Sequence, residues 1–313
     1  MSRRRSHIVT PWASGWLPVV LGLVTVLALL LPSGLALAQS GGDPSLPITV
    51  LTVETPLPSL PPDAVMAVAP ADGQAPAPRP APAGAFGPAA PGLDATFAGV
   101  NFDSNITPNG GFVFIPPDPS GAAGPAHVVS VVNCLIEWRL KTGAAGTIQS
   151  LQGFFASLSA VNKLFDPKVI FDQYAGRFVV VALERQDTAN GDLVNSSRIL
   201  VAVSKTSDPT AGWWFTAINS LTSISGIDRW ADYPGLGLDD KAIYITNNMF
   251  GFGSGGTFGG VRLWIINKTP FYAGGVASVT VHDPYAGGGT PTTTQPAHMF
   301  GALPATMGTF LVS

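Results

Sequence analysis

FDPKVIFDQYAGRFVVVAL, residues 165–183, holds the unit from which the folded part of this chain is built. Lys168 to Phe171 is a short strand, Asp172 to Gly176 a tight turn, and Arg177 to Leu183 a second, strongly apolar strand. Val, Ile and Phe fill both runs, and Asp and Gly fall between them, which is the pattern of a β-hairpin. A sheet with one wet face alternates apolar and polar residues. RFVVVAL does not alternate, so it calls for cover on both faces.

The same design recurs on either side. Asp118-Pro119 leads to Gly124-Pro125 and the run HVVSVVN (127–133), followed by CLIEWRLKT (134–142) and TIQSLQGFF (147–155). Asp166-Pro167 leads to Asp172, then RFVVVALE (177–184), RILVAVSKT (198–206) and WWFTAIN (213–219). Asp232-Tyr233-Pro234 leads to Asp239, then AIYITNNMF (242–250), VRLWIINKT (261–269) and VASVTVH (276–282). A fourth unit opens at Pro296 to Gly301, with GTFLVS (308–313) as its next strand. The starts lie 48 and 66 residues apart, a period that fits four-stranded propeller blades with variable loops. The expected fold is therefore all-β: a β-propeller of antiparallel blades, about three complete and a fourth begun, with helix nearly absent. A sandwich is the competing architecture, and RFVVVAL and RLWIINK speak against it. Three blades and a start do not close a ring, so a fragment of a longer chain is expected.

The remaining third is of another kind. Arg3-Arg4-Arg5, the apolar run Trp16 to Leu31, the break at Pro32-Ser33-Gly34 and Ala36-Leu37-Ala38 before Gln39 form a signal peptide over residues 1–38. A retained anchor over 16–38 is the alternative, and would be the chain's only link to a membrane. Residues 39–96 carry thirteen prolines between Pro44 and Pro91 and read as a disordered Pro/Ala-rich linker. The domain proper is then 97–313, in a protein that is secreted or held at the cell envelope. With a net charge of −3 and no basic block beyond Arg3–Arg5, nucleic acid is excluded as a partner. Cys134 is the only cysteine, set among Val131, Val132, Leu135 and Ile136, and reads as a small buried apolar residue.

PPDPSGAAGPAHVV, FDPKVIFDQYAGRFVVVAL, ILVAVSKTSDPTAGWWF and WADYPGLGLDDKAIYITNNMF together resemble exported bacterial β-propellers of the sialidase-like, BNR-repeat type. The resemblance covers about residues 97–313. The turn Ser207-Asp208-Pro209-Thr210-Ala211-Gly212-Trp213 is similar to the Asp-box of sialidases, with a departure from its strict spacing. The resemblance implies a structural turn between the third and fourth strands of a blade, its Asp folded onto the turn's own N–H groups.

Asp118, Asp166 and Asp232 each enter an inner strand, and in a propeller they ring one mouth of the channel. Five-bladed glycosidases use carboxylates at such places, one as base or nucleophile and another as proton donor. Recurrence in every blade argues for the plainer role of Asp before Pro, that of starting a turn. Glu184 ends a second strand and is a further candidate acid. Arg229 could take an anionic sugar, and Trp213, Trp214 and Trp230 could stack on sugar rings. Asp187, Asn190 and Asp192 are oxygen ligands in one loop that could take Ca²⁺. His127, His282 and His298 are isolated and give no zinc spacing. Two functions follow: a non-catalytic module binding a glycan or surface protein, preferred because the three aspartates share one context, and a glycoside hydrolase using these acids.

Overall fold

The computed structural model describes residues 95–313, apart from 145, 161–162, 188–193, 254–255, 290 and 305–306. All of these belong to one compact unit, Ser40–Ser313. The signal peptide or anchor, and the linker up to residue 94, lie outside the described residues. Among the described residues no helix is long and apolar enough to cross a membrane.

Three antiparallel meanders follow one another. The first is β1 (Ser120–Ala123), β2 (His127–Val132), β3 (Leu135–Leu140) and β4 (Thr147–Ser150). The second is β5 (Phe165–Asp172), β6 (Arg177–Gln186), β7 (Ser196–Ser204) and β8 (Trp213–Asn219). The third has β9 (Thr222–Ile224) added at its edge to β10 (Ile227–Leu238), β11 (Ala242–Gly251), β12 (Phe258–Asn267) and β13 (Val279–His282). A two-stranded remnant, β14 (Gln295–Pro296) with β15 (Leu311–Val312), follows. The first strands β1, β5, β10 and β14 lie side by side in that order, the arrangement of propeller-like blades.

Strand β6 shows why the sheets stack. Phe178, Val180 and Ala182 join a core with Val129, Val131, Ile136 and Trp138 of the first sheet. Val179, Val181 and Leu183, pointing the other way, join a core with Ile243, Ile245, Met249 and Trp264 of the third. A strand's side chains alternate between faces, so the unbroken apolar run serves two cores at once. A sandwich with one wet face would leave half of it in water.

Two expectations need correction. TIQSLQGFF is not one strand. It ends at Ser150, whose hydroxyl accepts from Gly153 N and caps the single turn α1 (Leu151–Phe154), so that Phe154 and Phe155 turn into the core against Trp213 and Phe215. The fourth unit, expected over Pro296–Gly301 with GTFLVS next, does pair with that second strand, but its ladder is short, covering Gln295 and Pro296 with one further bond from Ala297 N to Phe310 O.

At the C-terminal ends of β5 and β10, a buried polar group joins the second and third sheets. Asp172 and Lys268 are both buried, with Nζ 2.5 Å from Oδ2, and Tyr272 donates to the same oxygen at 2.8 Å. Lys268 also donates to the Asp239 carbonyl at 2.6 Å. Removing one partner strands the other charge in a low-dielectric site. Lys268→Met is expected to lower stability by about 3–5 kcal/mol. Adding Asp172→Asn to it should recover part of that loss, both read from urea denaturation.

Candidate functional site

The inner strands share a local device. In β5 the pairing with β6 jumps between Phe165 and Lys168, and in β10 the pairing with β11 jumps between Asp232 and Gly235. The first sheet does the same, since Asn133 N bonds Pro117 O and Ser120 then pairs with Val131. Each jump is a β-bulge with one extra residue. At each, a residue of positive φ precedes a proline: Asp118 (46°), Asp166 (48°) and Tyr233 (46°). The proline lacks an N–H, which suits a place where the ladder has no partner for one.

The structural equivalent of Asp118 and Asp166 is therefore Tyr233, and Asp232 sits one residue earlier. The three aspartates do not share one context, contrary to the sequence expectation. A spacing of six residues already carries this register: 118 to 124, 166 to 172, and 233 to 239 at the next turn.

That offset brings two unlike carboxyls together. The Asp166 side chain reaches into the third sheet, where it accepts from Tyr233 N at 3.2 Å and hydrogen-bonds the Asp232 carboxyl. Burial pushes Asp166 up to about 7, and the neighbouring charge of Asp232 adds to it. Asp232 is raised as well, first by burial, while its bond to Asp166 and the nearby Arg185 act against that. The pair therefore keeps a proton to a higher pH than a free aspartate would. Asp118 is the third carboxylate, near enough to act on both.

Asn133 ties the first and second sheets at this point. Its Nδ2 donates to Asp118 Oδ2 at 2.7 Å and to Pro116 O at 2.9 Å, and its Oδ1 accepts from Asp166 N at 2.6 Å. It occupies the two-residue turn between β2 and β3 with Cys134, whose thiol burial pushes up to about 11, leaving it protonated and inert. Neither Asp118 nor Asp166 spends its carboxylate on its own turn. Each reaches a partner elsewhere.

Beside Asp232 lies an open cleft of ≈ 200 Å³, lined by Arg185, Asp187, Trp230, Asp232, Phe250 and three glycines, with Asp166 behind Asp232. The Arg185 guanidinium lies 3.9 Å over the Trp230 ring and 3.8 Å from Asp187. Asp187 in turn accepts from Gly253 N at 3.1 Å, and Trp230 donates to Gly251 O at 3.1 Å.

The other predicted residues fall elsewhere. Glu184, one residue from Arg185, points to the opposite face, is buried, and pairs with Arg198 at 2.5 Å, so it is not a cleft acid. Arg229 is 5% exposed, bonds the Thr257 carbonyl and packs on Gly259, too enclosed to take an anionic sugar. Trp213 is buried against Trp138 and Phe154, and of the candidate aromatics Trp230 alone lines the cleft. In the Ser207–Trp213 turn, Asp208 accepts from Thr210 N at 2.8 Å and from its hydroxyl at 2.7 Å, and the turn joins β7 to β8. Of the calcium candidates, Asn190 and Asp192 lie outside the described residues.

No protein-family model matches the chain, and no curated protein matches it. Among solved structures, a mutant of the GH43 protein BlXynB from Bacillus licheniformis is similar at 15% identity and a TM-score of 0.25. The match covers 53% of this chain and 38% of that one.

The acid pair has a consequence for stability. The folded value of Asp166 lies above the ~3.9 of an unfolded aspartate, so the folded chain binds the extra proton between the two. Its stabilising effect is complete below about pH 4 and is lost as pH rises through about 7. Asp166→Asn should flatten that decline. In scanning calorimetry, the variant is expected to match wild type near pH 4 and to melt several degrees higher at pH 8. A lower melting temperature at pH 8 would contradict the shared proton.

Proposed function

We propose that the cleft beside Asp166 and Asp232 is a glycoside-hydrolysing site. What supports this is the pair itself: two carboxyls from different strands, in different contexts, holding one proton near neutral pH beside an aromatic cleft. General acid catalysis needs a group still protonated at the working pH, and Asp166 is such a group. It donates its proton to the glycosidic oxygen as the C–O bond breaks, and the neighbouring Asp232 charge, which opposes an ionised Asp166, favours the proton's later return. Water attacks the anomeric carbon, and its proton passes to Asp118, which the Asn133 amide holds apart from the pair. Exchange with solvent then returns the proton to Asp166.

A second function, a non-catalytic propeller binding a glycan or a surface partner, is favoured by one observation. Asp166 and Asp232 touch each other, whereas paired glycosidase carboxyls stand roughly 5–10 Å apart. On the hydrolytic scheme the wider separation has to be that between Asp166 and Asp118.

A panel of 4-nitrophenyl glycosides assayed from pH 4 to 8 separates the two. Hydrolysis should fall on an alkaline limb near pH 7, and Asp166→Asn should lower kcat by roughly 10²–10⁴. No turnover by wild type on any glycoside, or an unimpaired Asn variant, sinks the enzymatic proposal.

A further inference from the structure

Tyr233 holds, in the β10 bulge, the positive-φ place that Asp118 and Asp166 hold in the bulges of the first two sheets. A φ of 46° is tolerated by Asp far better than by a bulky ring. The ring gains little burial in return. It is 41% exposed and belongs to none of the three apolar cores. Its backbone N–H bonds the Asp166 carboxyl at 3.2 Å, which anchors the residue beside the acid pair, next to Asp232. The Lys168 ammonium lies 5.5 Å over the ring, and among the described residues no carboxylate pairs with that ammonium. Backbone strain kept without a packing gain marks a position held for something other than stability.

We propose that Tyr233 and Lys168 form a sugar-binding subsite at the rim of the acid pair. The exposed ring stacks on the apolar face of a neutral glycosyl unit adjoining the one cleaved, and the Lys168 ammonium donates to its hydroxyls. A sugar presents C–H groups on one face and hydroxyls at its edge, and an aromatic ring beside an ammonium complements both. This assignment rests on the hydrolytic function proposed above.

Two substitutions separate binding from structure. Tyr233→Asn keeps a side chain that accepts positive φ and removes the ring, whereas Tyr233→Phe keeps the ring. Affinity for neutral oligosaccharides of the cello-, xylo-, manno- and arabino- series is measured by calorimetry in the non-hydrolysing Asp166→Asn background. Melting temperature is followed alongside. Tyr233→Asn is expected to weaken binding roughly tenfold at an unchanged or higher melting temperature, with Tyr233→Phe close to the parent. Lys168→Met should weaken binding several-fold, and Lys168→Arg should hold it. Unchanged affinity in Tyr233→Asn overturns the subsite while leaving hydrolysis standing, provided wild type turns over a glycoside. A marked loss of melting temperature in Tyr233→Asn makes the ring a structural element and also overturns it. If wild type neither binds nor cleaves any sugar tested, the function and the subsite fall together.

Discussion

A strand without a polar face has to be covered twice. That constraint, set by Phe178 to Leu183, governs the arrangement of the described domain. Even-numbered residues of the run need one neighbouring sheet and odd-numbered residues another, and both cores contain large fully buried side chains such as Phe155, Leu164 and Phe271. Sheets that must each be sandwiched between two others stack in series, with their first strands gathered side by side. The acid pair is a product of that gathering, because Asp166 and Asp232 come from different sheets and meet only where β5 and β10 adjoin.

Much of this was legible in the sequence. The double-faced apolar runs, the Asp-Pro starts and the turn residues led to four-stranded sheets in the observed order. The site was legible only in part. Asp118, Asp166 and Asp232 could be picked out as residues entering inner strands. Their inequivalence showed only in the six-residue spacing to the next turn, because a bulge shifts register by one and the Asp-Pro likeness aligned Asp232 where Tyr233 belongs. Asn133 gave no signal beyond a turn between two strands, since its importance lies in partners 15 and 33 residues away. Glu184 and Arg229 misled for the opposite reason. A charge at a strand end looks available to solvent until another strand of its own sheet supplies Arg198 or Gly259.

Burial and charge act together at the acid pair. The Arg185 charge acts against protonation of Asp232, but burial outweighs it, so the fold keeps the proton there by withholding water and by setting one acid against the other. The buried Asp172–Lys268 pair at the C-terminal ends of the same strands handles a buried carboxylate differently, with an ammonium in contact and a tyrosine hydroxyl beside it. The contrast between the two ends of β5 is chemical: one carboxylate is neutralised by a neighbour, the other by its own proton.

The amide of Asn133 makes the separation of Asp118 from Asp166 a function of how two sheets are seated against each other. One end of that amide holds a side chain of the first sheet, and the other holds the backbone of the second. A rigid three-atom bridge transmits any tilt or slide between them directly to the two carboxylates. The spacing of the acids is thus an angular property of the assembly, adjustable by packing changes far out along β2 and β6. No sheet transplanted alone into another scaffold would carry it along.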